Sequence, residues 1–201
     1  MQNQPQVRRA ELSEATEVAR VFARAALDEA VTAWVLEDSP EAVEYFRNER
    51  APEMITNALQ EDQVWLAGSG SDIWAVSIWQ TVTSADRFET EAAELRALAG
   101  QVPGRPFERI TAVTTALAAR HPREFPHQYL QVIVTLPEFR GKGAGAAIIT
   151  DRVKSATTPA YLEASTERSQ RLYERCGFAR IGDRIELPDN GPTLRPMWFQ
   201  S

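Results

Sequence analysis

The chain has 201 residues, 43% of them hydrophobic and 25% charged, enough for one domain with a core that needs no metal or disulfide. A net charge of −6, with 28 acids against 22 bases and no basic stripe, excludes the usual footprint of a nucleic-acid binder. The lone cysteine, Cys176, excludes an intramolecular disulfide, and no apolar run approaches the ~20 residues of a membrane-spanning helix.

Met1 to Pro5 is polar with no apolar run behind it, so no signal peptide is expected and a cytoplasmic location is. Val7–Ala10 reads as a short extended entry. Leu12, Ala15, Val18, Ala19, Phe22 and Ala26 then recur at helical spacing, with Ser13 as the expected cap and Glu14 and Glu17 at the positive end. Ser39-Pro40 starts a second helix, and Pro52 is expected to break or restart it before Met54, Ile55, Ala58 and Leu59. Gln63–Ala67 and Ile73–Trp79, joined by the turn Gly68–Asp72, form a hairpin. Two helical stretches around Arg87–Ala99 and Phe107–Arg120, separated by Pro103 and Pro106, make a helical insertion at about 84–128, long enough to wall a pocket.

The last third is the most regular. Tyr129–Thr135 has the character of a buried strand; a loop follows, then a helix marked by Ala146, Ala147, Ile148, Ile149 and Val153. Ala160–Ala164 is a strand, and Glu167–Cys176 a helix ended by Gly177 in a left-handed cap. Phe178–Ile181 and Arg184–Leu187 are short extended pieces, and Thr193–Phe199 is a final strand. The strand–loop–helix–strand order is a right-handed crossover unit.

The chemistry centres on the loop Arg140-Gly141-Lys142-Gly143-Ala144-Gly145. Three alternate glycines between a strand and a helix leave backbone N–H groups on a concave surface, and the helix N-terminus adds its positive dipole end, a combination that binds phosphate. Lys142 adds charge at the rim. A plain tight turn is the bland alternative. A P-loop is excluded because no Gly-Lys-Ser or Gly-Lys-Thr follows. Gly141-x-Gly143-x-x-Ala146 also fits a relaxed dinucleotide fingerprint, with Glu163 at the right remove to hold a ribose. Against it, Pro137–Arg140 separates the strand from the first glycine, and too little chain follows Glu163 for a second nucleotide-binding half.

These residues resemble the GNAT superfamily of acetyltransferases. The loop after Leu136-Pro137 is similar to that family's cofactor signature, as are Tyr161-Leu162-Glu163-Ala164-Ser165 and Leu172-Tyr173-Glu174-Arg175-Cys176-Gly177-Phe178 in that order. The tail from Leu187 to Trp198 and the hairpin pairs Val64-Trp65 and Ala75-Val76 resemble the branch around puromycin N-acetyltransferase. The resemblance implies an α/β (α+β) fold: one domain over 1–201 with a mixed, mostly antiparallel seven-stranded sheet, strands four and five splayed apart, and flanking helices. It implies acetyl-CoA as co-substrate, no metal, and direct transfer of acetyl to a primary amine of a small molecule such as an antibiotic or metabolite. The backbone of Ile133, Val134 and Thr135 would pair with the pantetheine, and Arg140, Gly141, Lys142, Gly143, Ala144, Gly145 and Ala146 would cradle the pyrophosphate. Ser169 stands where many relatives place an Asn against the cofactor, with Gln170 in its place if the register shifts by one.

Direct transfer needs a neutral amine, an oxyanion donor and an acid for the thiolate. By the resemblance Tyr173 is the acid, and a backbone N–H near Ile133 or Val134 is the oxyanion donor. Glu163 and His127 are the candidate bases, with His121 one helix end earlier. Glu108 and Glu124 are candidates for holding a cationic acceptor or are plain solvated charge. Cys176, beside Gly177 with no base in its motif, reads as structural. A homodimer is a possible assembly, and a protein or peptide acetyltransferase or an idle acyl-CoA-binding module are the alternatives in function.

Overall fold

The apolar alternation from Gln63 onward becomes the middle of an open sheet in the computed structural model, which describes residues 4–201. Met1 to Asn3, and with them most of the polar N-terminus, lie outside the described residues. The strands are β1 (Gln6–Arg9), β2 (Gln63–Ser69), β3 (Asp72–Val82), β4 (His127–Thr135), β5 (Ala160–Ala164), β6 (Ala179–Arg180), β7 (Ile185–Glu186) and β8 (Thr193–Phe199). Seven of them lie on one path, β1-β2-β3-β4-β5-β8-β6, with the two-residue β7 paired to β8 beside it. Every pairing is antiparallel except β4 with β5.

Helices α1 (Ala15–Ala26), α2 (Ala30–Leu36), α3 (Pro40–Tyr45) and α4 (Ala51–Glu61) precede the hairpin, and α5 (Asp86–Ala97) and α6 (Arg105–Arg120) form the expected insertion. α7 (Ala144–Lys154) and α8 (Glu167–Arg175) follow β4 and β5. α1 and α4 bury Val18, Phe22 and Ile55 against Val64, Leu66, Val76 and Ile78. α5 and α6 continue that layer: Phe88, Ala92 and Ala118 cover Val82, Tyr129 and Tyr161. Alternation sends Trp79, Leu130 and Leu162 to the opposite face, where they meet Ile149 of α7 and Tyr173 of α8. Among the described residues no helix is long and apolar enough to cross a membrane.

One local expectation changes, and two helices are set in ways the sequence does not announce. Ser13 does not cap α1; it lies inside a 3-10 turn, Leu12–Glu14, closed by the Glu14 carboxylate accepting the Glu11 N–H at 2.9 Å. Longer carboxylate reach wins there over the shorter hydroxyl, and Arg8 pins Glu14 with two bonds of 2.6 and 2.7 Å. Pro52 restarts the helix as expected: a π-turn over Phe46–Arg50 leads into α4, and Pro52 sits in its first turn, where no N–H is required. α2 carries no short polar cap and includes β-branched Val31 and Thr32, so its sequence signal is weak; Glu29 caps it instead.

Two irregularities open the sheet. β4 pairs with β5 at Gln128↔Ala160 and Tyr129↔Tyr161, and beyond these the two strands part. Just there, Ile78 and Trp79 of β3 face Val132 and Leu130, which leaves Gln131 as an extra residue in β4. A bulge bends its strand and disturbs the ladder, so β4 turns away where β5 continues to β8. The result is a V between Ile133–Thr135 of β4 and Leu162–Ala164 of β5.

Candidate active site

The glycine loop lies at the mouth of this V. Gly141 and Gly143 have φ of 77° and 85°, which residues with a Cβ rarely adopt, and a Cβ at either would meet nothing within 4 Å. The cradle is therefore open as well as left-handed. Gly143 caps α7, and its carbonyl takes the Ala147 N–H at 2.8 Å, so the N–H groups of Ala144, Gly145 and Ala146 have no partner within the helix. A Cβ on Gly145 would lie 3.8 Å from the side chains of Ile133 and Thr135 and 3.9 Å from Leu172. Loop, open edge of β4 and α8 thus converge on one spot.

The two basic residues of the loop are already engaged. Arg140 gives both terminal nitrogens to Asp28 at 2.5 and 2.6 Å and its Nε to the Thr135 carbonyl at 3.1 Å. This fork holds the α1–α2 turn against the loop and leaves the backbone amides as the unengaged donors of the cradle. Lys142 sits 4.8 Å above the Phe139 ring, which stacks on Trp74 at 4.9 Å.

Tyr173 faces inward from α8, buried and 6.2 Å from the Phe178 ring. Burial, with the charge of Glu29, holds its phenol well above the ordinary range, so it carries a proton at neutral pH. Ser169 is drawn into the helix cap: its hydroxyl donates to the Thr166 carbonyl at 2.9 Å and accepts the Thr166 N–H at 3.1 Å. Cys176 lies half-buried at the end of α8, 3.9 Å from the Thr150 hydroxyl, and burial raises its thiol above the usual value. A thiol pushed that way is a poor nucleophile. Gly177 has the expected left-handed φ of 95°.

Glu163 points to the face beneath α5 and α6, where its Oε2 accepts the Tyr129 hydroxyl at 2.9 Å and its Oε1 is buried without a hydrogen bond. Burial pushes the carboxyl up to about 7, against the pull of the Tyr161 and Tyr129 hydroxyls. Burial and the nearby Glu163 charge in turn hold both phenols high. His127 lies at the closed end of the V, opposite Val82, with no exposed surface. Its Nδ1 is 2.7 Å from the Glu124 carbonyl and its Nε2 3.0 Å from Nε2 of His121. The carbonyl can only accept, so His127 is the Nδ1–H tautomer and His121 donates from Nε2. Glu108 and Glu124 are exposed.

The histidine pair carries an expectation about acid. Burial, then the neighbouring His127, push His121 down to about 3 from an ordinary 6.5, and burial lowers His127 too. Neutral imidazole is favoured by the fold, so stability from this pair is intact above pH 6.5 and is lost as pH falls from there toward 3. The unfolding free energy from urea titrations should drop by an amount on the order of 2–4 kcal/mol between pH 7 and pH 4, and His121→Gln should flatten that decline.

Glu29 is the residue the sequence reading missed. Its Oε2 accepts the N–H groups of Val31 and Thr32, both at 3.0 Å, and its Oε1 accepts the Ser165 hydroxyl at 2.8 Å. It therefore ties the head of α2 to the end of β5, on the Tyr173 side of the V. A Glu before a weak helical segment carries no signal of this; only the closure of α1–α2 onto the β5–α8 loop reveals it.

Residues 108–180 match the Acetyltransferase (GNAT) domain model. The fold is similar to the structure titled histone acetyltransferase HPA2 and related acetyltransferase from Corynebacterium glutamicum: TM-score 0.70, 21% identity, covering 99% of this chain and 98% of that one. It is similar also to Drosophila melanogaster polyamine N-acetyltransferase, described as forming N-acetylagmatine, with TM-score 0.69, 18% identity and coverage of 98% and 100%. Arylalkylamine N-acetyltransferase 2 from Aedes aegypti aligns at TM-score 0.68, 14% identity and coverage of 98% and 99%. Residues 108–180 thus match the GNAT acetyltransferase domain, and the whole chain shares the fold of these acetyltransferase structures.

Proposed function

We propose that the chain is a single-domain, acetyl-CoA-dependent enzyme that acetylates a primary amine on a small molecule. The observation that carries this reading is the parting of β4 from β5 where the open glycine cradle, the edge of β4 at Ile133–Thr135 that β5 does not pair and α8 with Tyr173 converge. The cradle fits a pyrophosphate: its amides are unpartnered within α7, and no Cβ fills it. Acetyl-CoA, when bound, supplies the acetyl thioester. Ala144, Gly145 and Ala146 would hold its phosphates, and Ile133, Val134 and Thr135 its amide-bearing arm. The insertion at 84–128 walls the acceptor side, and the small amines named for two of the similar structures support a small acceptor.

The chain's own groups divide the proton work. Glu29, fixed by Ser165 and the head of α2, receives the acceptor's ammonium. Glu163, poised near 7, takes the proton the amine must lose so that its nitrogen can attack the thioester carbonyl. An N–H on the free edge of β4 faces the oxygen as charge develops on it. As the carbon–sulfur bond breaks, Tyr173 gives its proton to the departing thiolate, and the second proton lost by the amine nitrogen restores the phenol. Ser169 and His127 serve the fold in this reading, as a cap and as half of a buried pair.

The test is a thermal shift with acetyl-CoA followed by a free-thiol assay across diamines, guanidino amines, arylalkylamines and puromycin. A rise in melting temperature with acetyl-CoA and thiol release with one amine class is expected. A shift without turnover on any amine favours an idle acyl-CoA-binding module, and turnover on peptide amines alone favours a protein acetyltransferase. No shift at all sinks the reading.

A further inference from the structure

Arg109 sits on α6 with 2% of its surface exposed, and nothing in the proton chemistry uses it. A buried guanidinium is costly unless its donors are met, so its partners show what its placement serves. Its Nη1 donates to the Trp34 carbonyl, its Nη2 to Glu37 Oε2 at 3.0 Å, and its plane lies 4.8 Å over the Trp34 ring. All of these partners belong to the last turn of α2 or the residue that ends it.

α2 has seven residues, too few to hold itself together, so contacts at its ends fix where it lies. At its head Glu29 caps the Val31 and Thr32 amides and takes the Ser165 hydroxyl. At its tail Arg109 donates to the Trp34 carbonyl, which otherwise takes only a long 3.4 Å bond from the Glu37 N–H, adds positive charge at the negative dipole end, and covers Trp34. Trp34 also reaches the Asp189 carbonyl, at a long 3.4 Å. Of the tail contacts, Arg109 alone brings charge, two hydrogen bonds and ring contact.

We infer that Arg109 is a positioning residue: it fastens α2 to the insertion and so holds Glu29 at the acceptor end of the site. The role rests on the reading of Glu29 as the amine anchor, and it gives the helical insertion a task beyond walling a pocket. Acceptor handling then depends on α6, whereas the cofactor side is built on β4, α7 and α8 and meets the α1–α2 turn only through the Arg140–Asp28 pair.

Two measurements on Arg109→Met, Arg109→Lys and Glu37→Gln test this. Amide hydrogen exchange without any substrate reads the placement of α2 directly. Arg109→Met should speed exchange at Val31 and Thr32 about tenfold or more while the β3 and β4 amides stay protected. Steady-state kinetics should show the amine KM rising about tenfold in Arg109→Met with the acetyl-CoA KM within about twofold. Arg109→Lys, which keeps the charge and a donor, should recover part of both effects, and Glu37→Gln should fall between. Unchanged exchange in α2 overturns the positioning role whether or not the chain is an acetyltransferase. A lower melting temperature with the amine KM unmoved reduces Arg109 to a structural residue. Failure of the wild-type chain to turn over any amine, with α2 exchange still raised in Arg109→Met, would instead remove the enzymatic reading and leave the brace standing.

Discussion

Tyr173→Phe should lower kcat by about 10²-fold or more while leaving both KM values within about threefold. The ring is buried between Leu162, Phe178 and their neighbours, and among the described residues its hydroxyl has no hydrogen-bond partner, so Phe keeps the packing. The melting temperature should therefore change little. What is lost is the proton. Burial and the Glu29 charge hold that phenol protonated across the working range, and the group that can draw the proton away is a strong base created during the reaction, the thiolate. Acetyl-CoA should still raise the melting temperature of the variant as it does for the parent. Thiol release from the amine identified in the panel is the direct readout. Equal kcat in Tyr173→Phe would remove the phenol as the acid and shift thiolate protonation to water.

How much of this was legible follows from where the information is stored. Residues 127–199 were read almost element for element, because each piece carries its own punctuation. Pro137 closes β4, glycines at 141 and 143 start α7, Gly177 ends α8, and the turn Pro188–Pro192 leads into Thr193–Phe199. Tyr173 and the loop came with those motifs. The N-terminal third was harder because its helices are set by contacts that leave no short motif, some of them distant in the chain. Arg8 and Glu14 close the entry to α1, Arg109 and Ser165 fasten α2, and a π-turn absorbs Pro52. No local pattern announces any of these. Glu29 and Asp28 escaped notice for the same reason: their partners, Ser165 and Arg140, are more than a hundred residues away. Gln131 likewise reads as one polar residue in a strand, and only the register of β3 shows it as the bulge that opens the sheet.

Glu163→Gln should separate catalysis from stability by pH. The amide keeps an acceptor for the Tyr129 hydroxyl, so the local hydrogen bond survives while the titration is removed. In the folded chain burial raises this carboxyl to about 7, against 4.5 in the unfolded chain. The fold thus favours the protonated form. That contribution to stability is whole below pH 4.5 and is lost as pH rises through 7. With about 1.4 kcal/mol per pH unit across that window, the parent should lose roughly 2–3 kcal/mol relative to Glu163→Gln between pH 4.5 and pH 8. Denaturant midpoints at the two pH values check this. For catalysis the sign is opposite, because a base must be ionised to act. The parent's kcat/KM should rise through pH 7 with a limb the variant lacks, and the variant's kcat should be about 10²-fold lower at pH 8. The acceptor's own limb, near the ordinary amine range of about 10, should remain in both. Loss of the stability difference without loss of the kinetic limb would make Glu163 a buried structural acid and pass the base role to Glu29. Loss of both together is what a carboxyl held near 7 beneath the insertion predicts: the fold bears the cost of keeping it ready to ionise where the amine arrives.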